Sequence, residues 1–299
     1  MLKKLAIAAL SLACINALPA PVQAETVMEK IARTGELTVG ANLDLVPYSY
    51  INDKKEWVGY SVDILNILKT ELAQQLGKPI SIGVVKEESY GSTRIPKLLS
   101  HEIDIACETQ FTWESDRFVD FSLSYSISGI RLMAPTSKQL GSPESLDGKR
   151  IGVIENSIGS QVMKLVQPRA TLVAFKSPEE GIAKLKSGQI DAVAGDTIIM
   201  SGLKQKLNLT DFQISPKEPY ARYGLACMVP ENNSTFLRLV NYSMVKLMQG
   251  YTIGDKKYVE MVNRWFGPEG LVEEIQPKDI QDFFKYTILT REQIPLTKP

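Results

Sequence analysis

The chain has 299 residues, with 34 lysines and arginines against 34 aspartates and glutamates and a formal net charge of zero. That length supports one large domain or two modest ones, each with a core of its own, and the charge balance offers no basic stripe of the kind that neutralises nucleic-acid phosphates. A single histidine excludes multi-histidine metal sites and leaves one candidate base for a serine or cysteine triad; no cofactor or metal is expected.

Lys3 and Lys4 precede an apolar run from Leu5 to Ala17, then Pro19, Pro21 and Val22-Gln23-Ala24. Basic start, short apolar stretch and small-residue site are the layout of a secretory signal peptide over residues 1–24, which places the chain from Glu25 onward in the periplasm. In the alternative reading Cys14 is a lipid-attachment site, for which Ser11 and Leu12 are poor neighbours. No later segment is apolar for long enough to span a bilayer.

Thr26 to Arg33 reads as a short helix, with Thr26 as N-cap and Gly35 just past its end. Leu37 to Ala41 is β-prone. Ser61 is placed as the cap of a helix in which Leu65, Leu68, Leu72 and Leu76 recur at three- and four-residue steps, ended by Gly77. A strand from Ile80 to Val85, a helix from Arg94 to Leu99 and a strand from Ile103 to Cys107 follow. The pattern restarts after Pro135. Strands are predicted at Arg150 to Ile154, Thr171 to Phe175 and Ile190 to Ala194. Helices are predicted from Ser157 through Val166, from Pro178 to Lys186 and from Thr197 to Lys206. Alternating strands and helices predict βαβ units and mainly parallel sheets, an α/β fold.

Leu98-Leu99-Ser100-His101-Glu102-Ile103-Asp104 parallels Leu185-Lys186-Ser187-Gly188-Gln189-Ile190-Asp191, which fits either two lobes built alike or a shared turn solution. His101 reads as a solvated turn residue. The tail differs: a strand-like run from Tyr223 to Val229, then helices at Asn232 to Met248, Gly254 to Phe266 and Asp279 to Leu289. Such a chain completes a second lobe and returns to its first, with crossings near Ser128 to Thr136 and Pro219 to Met228. Hinged lobes enclose a cleft suited to ligand capture. Beyond the leader, Cys107 and Cys227 are an even pair that can form a disulfide in an oxidising compartment. Their Cα distance, which sequence does not supply, decides it.

Several segments occur together in a telling order. They are Val46-Pro47-Tyr48-Ser49-Tyr50, Val58-Gly59-Tyr60-Ser61-Val62-Asp63, Arg117 with Asp120-Phe121-Ser122, Leu146 to Val153, Ile190 to Asp196, Tyr223-Gly224-Leu225-Ala226 and Arg264-Trp265-Phe266-Gly267. Over nearly the whole exported chain this order resembles the extracellular solute-binding proteins of amino-acid ABC importers (family 3), and Ser92-Thr93-Arg94-Ile95-Pro96 resembles their glutamate/aspartate-binding members. The resemblance implies a two-lobed type II periplasmic binding protein fold with two hinge crossings, lobe 1 comprising 25–131 and 225–299 and lobe 2 comprising 132–224. It also implies a monomer that is not an enzyme, an amino-acid ligand (glutamate/aspartate or a polar neutral one), and membrane permease subunits as partners.

By the same resemblance Arg117 grips the ligand α-carboxylate, in the two-bond fork that a guanidinium makes and lysine does not. Thr109 and Thr112 add donors to that carboxylate. Ser157 and the Ile158 amide offer a helix N-terminus to an anion, and Asp196 holds the α-ammonium. Arg94 would pair with a side-chain carboxylate. Asn42, standing where acidic-ligand members carry a basic residue, would favour a polar uncharged side chain. Tyr48 and Tyr50 either wall the pocket or are half-buried strand-end aromatics. Two other functions share the fold: a periplasmic cyclohexadienyl dehydratase, with Glu108 or Glu155 as general acid, and a ligand sensor whose capture chemistry is the same as a transporter's.

Overall fold

The computed structural model describes residues 25–87, 93–155, 157–273 and 275–292. The signal-peptide reading therefore lies outside the described residues. Among the described residues no helix is long and apolar enough to cross a membrane.

One ten-stranded mixed sheet runs through the molecule. In one half Glu36–Ala41 lies between the parallel strands Ser81–Lys86 and Ile105–Gln110. In the other, Arg150–Ile154 lies between the parallel strands Thr171–Phe175 and Ala192–Asp196. Two long strands, Ser126–Pro135 and Ala221–Pro230, join the halves. They pair antiparallel from Ala221 opposite Ile130 to Leu225 opposite Ser126. Beyond that segment they diverge, Ser126–Pro135 pairing with Ala192–Asp196 and Ala221–Pro230 with Ile105–Gln110.

The second half buries both faces of its sheet. Leu132, Ile151, Val153 and Ala192 sit in one apolar cluster, while Met133, Phe175, Ile182 and Val193 sit in another. Consecutive residues such as Leu132 and Met133 reach opposite clusters because side chains alternate across a strand. The first half's cluster takes in the long helix Tyr60–Leu76 (Leu65, Leu68, Leu72) and the C-terminal helices Ser234–Ile253 and Pro277–Glu292 (Phe236, Met244, Phe284).

The repeated Leu-x-Ser-x-x-Ile-Asp segments do the same work twice. The Asp104 carboxylate accepts from the Thr38 amide at 2.9 Å and the Lys30 ammonium at 2.8 Å. The Asp191 carboxylate accepts from the Arg150 amide at 3.0 Å and the Lys138 ammonium at 2.9 Å. Each aspartate thus ties the end of one helix–strand turn to the first central strand of its half. His101 lies exposed in the first of these turns, with φ 58°. Cys107 and Cys227 are bonded to each other, linking two strands that are neighbours in the sheet.

Local readings needed three adjustments. Thr26 caps the helix Val27–Thr34 as expected, with a reciprocal bond to Glu29. Ser61, however, is not a cap. The residue before Tyr60–Leu76 is Gly59 at φ 147°, where a Cβ would fall 2.0 Å from the Tyr48 carbonyl oxygen, so glycine is required there. Ser61 instead bonds the Tyr125 hydroxyl at 2.8 Å. Ile105–Gln110 and Ala192–Asp196 each start two residues later than the predicted strands, because Asp104 and Asp191 belong to the turns. Third, the predicted crossings are themselves strands.

Phe266 is buried against Tyr60, ring centroids 4.9 Å apart, and against Tyr48 at 6.3 Å. Phe266→Ala is expected to lower the free energy of unfolding by about 3–5 kcal/mol, measured by urea denaturation of the ligand-free protein. A loss below about 1 kcal/mol would show that this aromatic cluster does not hold the first half together.

Candidate functional site

A cavity of about 650 Å³ opens between the halves, beside the paired segment of the two joining strands. Its polar lining from the first half comes from Asn42, Arg94, Glu108, Thr109, Gln110 and the turn Thr112–Ser115. From the second half come Ser157, Gly159, Gln161 and Asp196, with Tyr223 from the joining strand. An apolar wall including Ile154, Phe175, Ile182 and Met200 backs the second side.

Arg94 opens the helix Arg94–Leu99, and its side chain is only 3% exposed. One terminal nitrogen, Nη1, donates to the carbonyls of Cys107 at 2.7 Å and Glu108 at 3.2 Å. The other, Nη2, stands 3.5 Å from a Glu108 carboxylate oxygen, an ion pair without a hydrogen bond. Nε and Nη2 have no hydrogen-bond partner among the described residues. A buried guanidinium with two idle donors on a cavity wall calls for an acceptor from the ligand.

Glu108 sits in the left-handed region at φ 56°, a conformation that costs energy for a side chain of its type and turns it toward Arg94. Burial pushes its carboxyl above the usual glutamate range, and the Arg94 charge works against that shift.

Asp196 ends the strand Ala192–Asp196 and caps the helix Thr197–Lys206. One carboxylate oxygen accepts from the amides of Ile198 and Ile199 at 2.9 and 3.0 Å. The other accepts from the Tyr223 hydroxyl at 2.6 Å. Capping and ligand contact are compatible, since a carboxylate offers about four lone-pair sites. Burial raises this carboxyl too, against the bonds from Tyr223 and the two amides.

Ser157 caps the helix Ile158–Val166, accepting from the Ser160 amide at 3.1 Å and donating to the Ile154 carbonyl at 2.7 Å. Both Ser157 and Ile158 line the cavity. Thr109 lines it as well, but its hydroxyl donates to the Ala226 carbonyl at 3.0 Å. Thr112 turns its hydroxyl to Ser115 at 2.9 Å. Asn42 is buried on the cavity wall, with its own carbonyl accepting from the Ser49 hydroxyl.

Four candidate residues lie elsewhere. Arg117 is exposed and outside the cavity lining, its guanidinium 5.7 Å from the Phe118 ring centroid. The turn places Ser115 on the cavity wall and carries Arg117 past it to solvent. Tyr48 is fully buried in the first half, its hydroxyl bonded to Ser126 at 2.9 Å and its ring against Tyr125. It is a core residue, its ring also meeting that of Phe266. Tyr50 packs edge-on against Trp265. Glu155 is exposed and also outside the lining. Sequence reading assigned no role to Gln110, Glu114, Ser115, Gln161 or Tyr223. Only Tyr223 carried a signal, as part of the Tyr223-Gly224-Leu225-Ala226 segment.

Both raised carboxyls bind protons more tightly in the folded than in the unfolded chain. Their contribution therefore stabilises the fold as pH falls through their folded values toward the unfolded value of about 4. Measured without ligand, the melting temperature of the wild type is expected to rise relative to that of the doubly substituted Glu108→Gln, Asp196→Asn protein as the pH is lowered from 7 to about 5. Parallel melting profiles across that range would show that neither carboxyl is perturbed.

A profile of the bacterial extracellular solute-binding proteins, family 3, matches residues 37–268. The glutamate/aspartate import solute-binding protein of Salmonella typhimurium is 25% identical over 254 residues, covering 83% of this chain and 81% of that protein. The glutamine-binding protein of Geobacillus stearothermophilus is 31% identical over 199 residues, covering 64% of this chain and 74% of that protein. Among solved structures, an ancestral amino-acid-binding protein described as a precursor of cyclohexadienyl dehydratase superposes with a TM-score of 0.68 at 22% identity, covering 80% of this chain and 98% of that one. An arginine-binding protein of T. maritima gives 0.67 at 23% identity, covering 80% and 98%.

Proposed function

The chain belongs to the bacterial extracellular solute-binding proteins, family 3, and we propose that it captures an amino acid between its two halves and delivers it to the permease subunits of an ABC importer. The observation that carries this reading is the placement of opposite charges on opposite sides of one cavity. Arg94 in the first half has idle donors for a carboxylate, and Asp196 in the second half has lone pairs for an ammonium. A zwitterion bridges the two, so binding favours the state in which the halves are close. The two strands paired from Ser126 to Ile130 and from Ala221 to Leu225 act as the hinge, dividing 25–131 with 225–299 from 132–224.

In this assignment Arg94 takes the α-carboxylate role first given to Arg117. Ser157 and the helix start at Ile158 face the same ligand from the second half. The protein is a binder rather than an enzyme. Glu155 stands outside the cavity, and Glu108 is held beside Arg94 as its counter-ion. Export by the signal peptide at 1–24 puts capture in the periplasm.

Calorimetric titration with the best-binding amino acid tests the assignment. Arg94→Met and Asp196→Asn are each expected to lose roughly 30- to 1,000-fold in affinity, as for the loss of a buried charged partner. Arg117→Ala should stay within about twofold. Full affinity in Arg94→Met would remove the carboxylate anchor and with it this reading of the site.

A further inference from the structure

On the amino-acid-binding reading above, we propose that the cavity selects a basic amino acid of the arginine or lysine type and rejects glutamate and aspartate. Among the described lining residues Arg94 is the one cation, against the three carboxylates of Glu108, Glu114 and Asp196. Arg94 has a single free edge, its Nε and Nη2, which suffices for one carboxylate. Once the α-carboxylate occupies it, an acidic side chain has no lining cation left and meets carboxylates instead. Like-charge juxtaposition of this kind is how binding sites exclude wrong ligands.

A basic side chain fares differently. Asp196 takes the α-ammonium, and Glu108 stays with Arg94. Glu114 remains, with no ion pair or hydrogen bond among the described residues. It lines the cavity yet is exposed, so it stands where the cavity meets solvent. An unpaired carboxylate on the cavity lining is a seat for a guanidinium or ammonium. The lining also supplies apolar side chains such as Leu45, Ile95 and Met228, against which the methylene stem of a basic side chain can pack.

The test uses the exported protein freed of bound ligand by reversible unfolding, and titrates it by calorimetry with arginine, lysine, citrulline, glutamine and glutamate. Citrulline keeps the shape of arginine without its side-chain charge. Arginine or lysine is expected to bind roughly tenfold or more tighter than citrulline and glutamine, and roughly 100-fold or more tighter than glutamate. Glu114→Gln should close the arginine–citrulline gap, with an unchanged circular dichroism spectrum and melting temperature of the ligand-free variant reporting correct folding. Glutamate or aspartate binding as tightly as arginine would overturn the proposal. So would equal affinity for arginine and citrulline in the wild type, which leaves amino-acid capture standing. A gap that persists in Glu114→Gln would overturn the seat at Glu114. Binding of none of these amino acids would overturn both this proposal and the capture function.

Discussion

Everything about the site depends on the antiparallel pairing of two strands, Ser126–Pro135 and Ala221–Pro230, over five residue pairs. Beyond it Ser126–Pro135 is hydrogen-bonded to strands of the second half and Ala221–Pro230 to strands of the first. The pairing gives two crossings side by side. The cavity opens next to it, and Tyr223 on one of these strands reaches the Asp196 carboxylate at 2.6 Å. The joining strands and the Asp196 carboxylate on the cavity wall are therefore tied by one hydrogen bond.

The charge arrangement in the cavity is the second constraint. A buried arginine is costly unless its donors are used. Arg94 uses Nη1 on two carbonyls, stands near Glu108, and leaves two donors idle. Glu108 supports this arrangement from a left-handed backbone conformation, and the disulfide to Cys227 anchors the residue immediately before it. A strained residue and a covalent cross-link thus sit side by side in the strand Ile105–Gln110, against a half-satisfied cation on the helix Arg94–Leu99.

Much of the fold was legible in the chain because it rests on local rules. Helices at Arg94–Leu99, Pro178–Lys186 and Thr197–Lys206 and strands at Arg150–Ile154 and Thr171–Phe175 occur at the predicted residues. Apolar spacing and caps act over a few residues and need no partner. The small sheet of Asp44–Leu45, Ser49–Ile51 and Trp57–Val58 was not legible, nor was Phe212–Ser215, since strands this short exist only through their neighbours.

The site divides along the same line. Sequence alone placed Asp196 and Ser157 at strand-to-helix junctions, where chain direction reverses and capping residues are expected, and both line the cavity. It also put Arg94 at the start of a helix. What it did not determine was which arginine lines the cavity. Arg117 and Ser115 are two residues apart on one turn, and only the path of that turn across the sheet edge sends Ser115 to the cavity and Arg117 to solvent. Tyr48 was undecidable in the same way, its side chain directed inward by packing against Tyr125 and Phe266. Residue type and spacing determine which groups are available for binding. The direction in which each one points is set by contacts between segments far apart in the chain, and those exist only in the folded molecule.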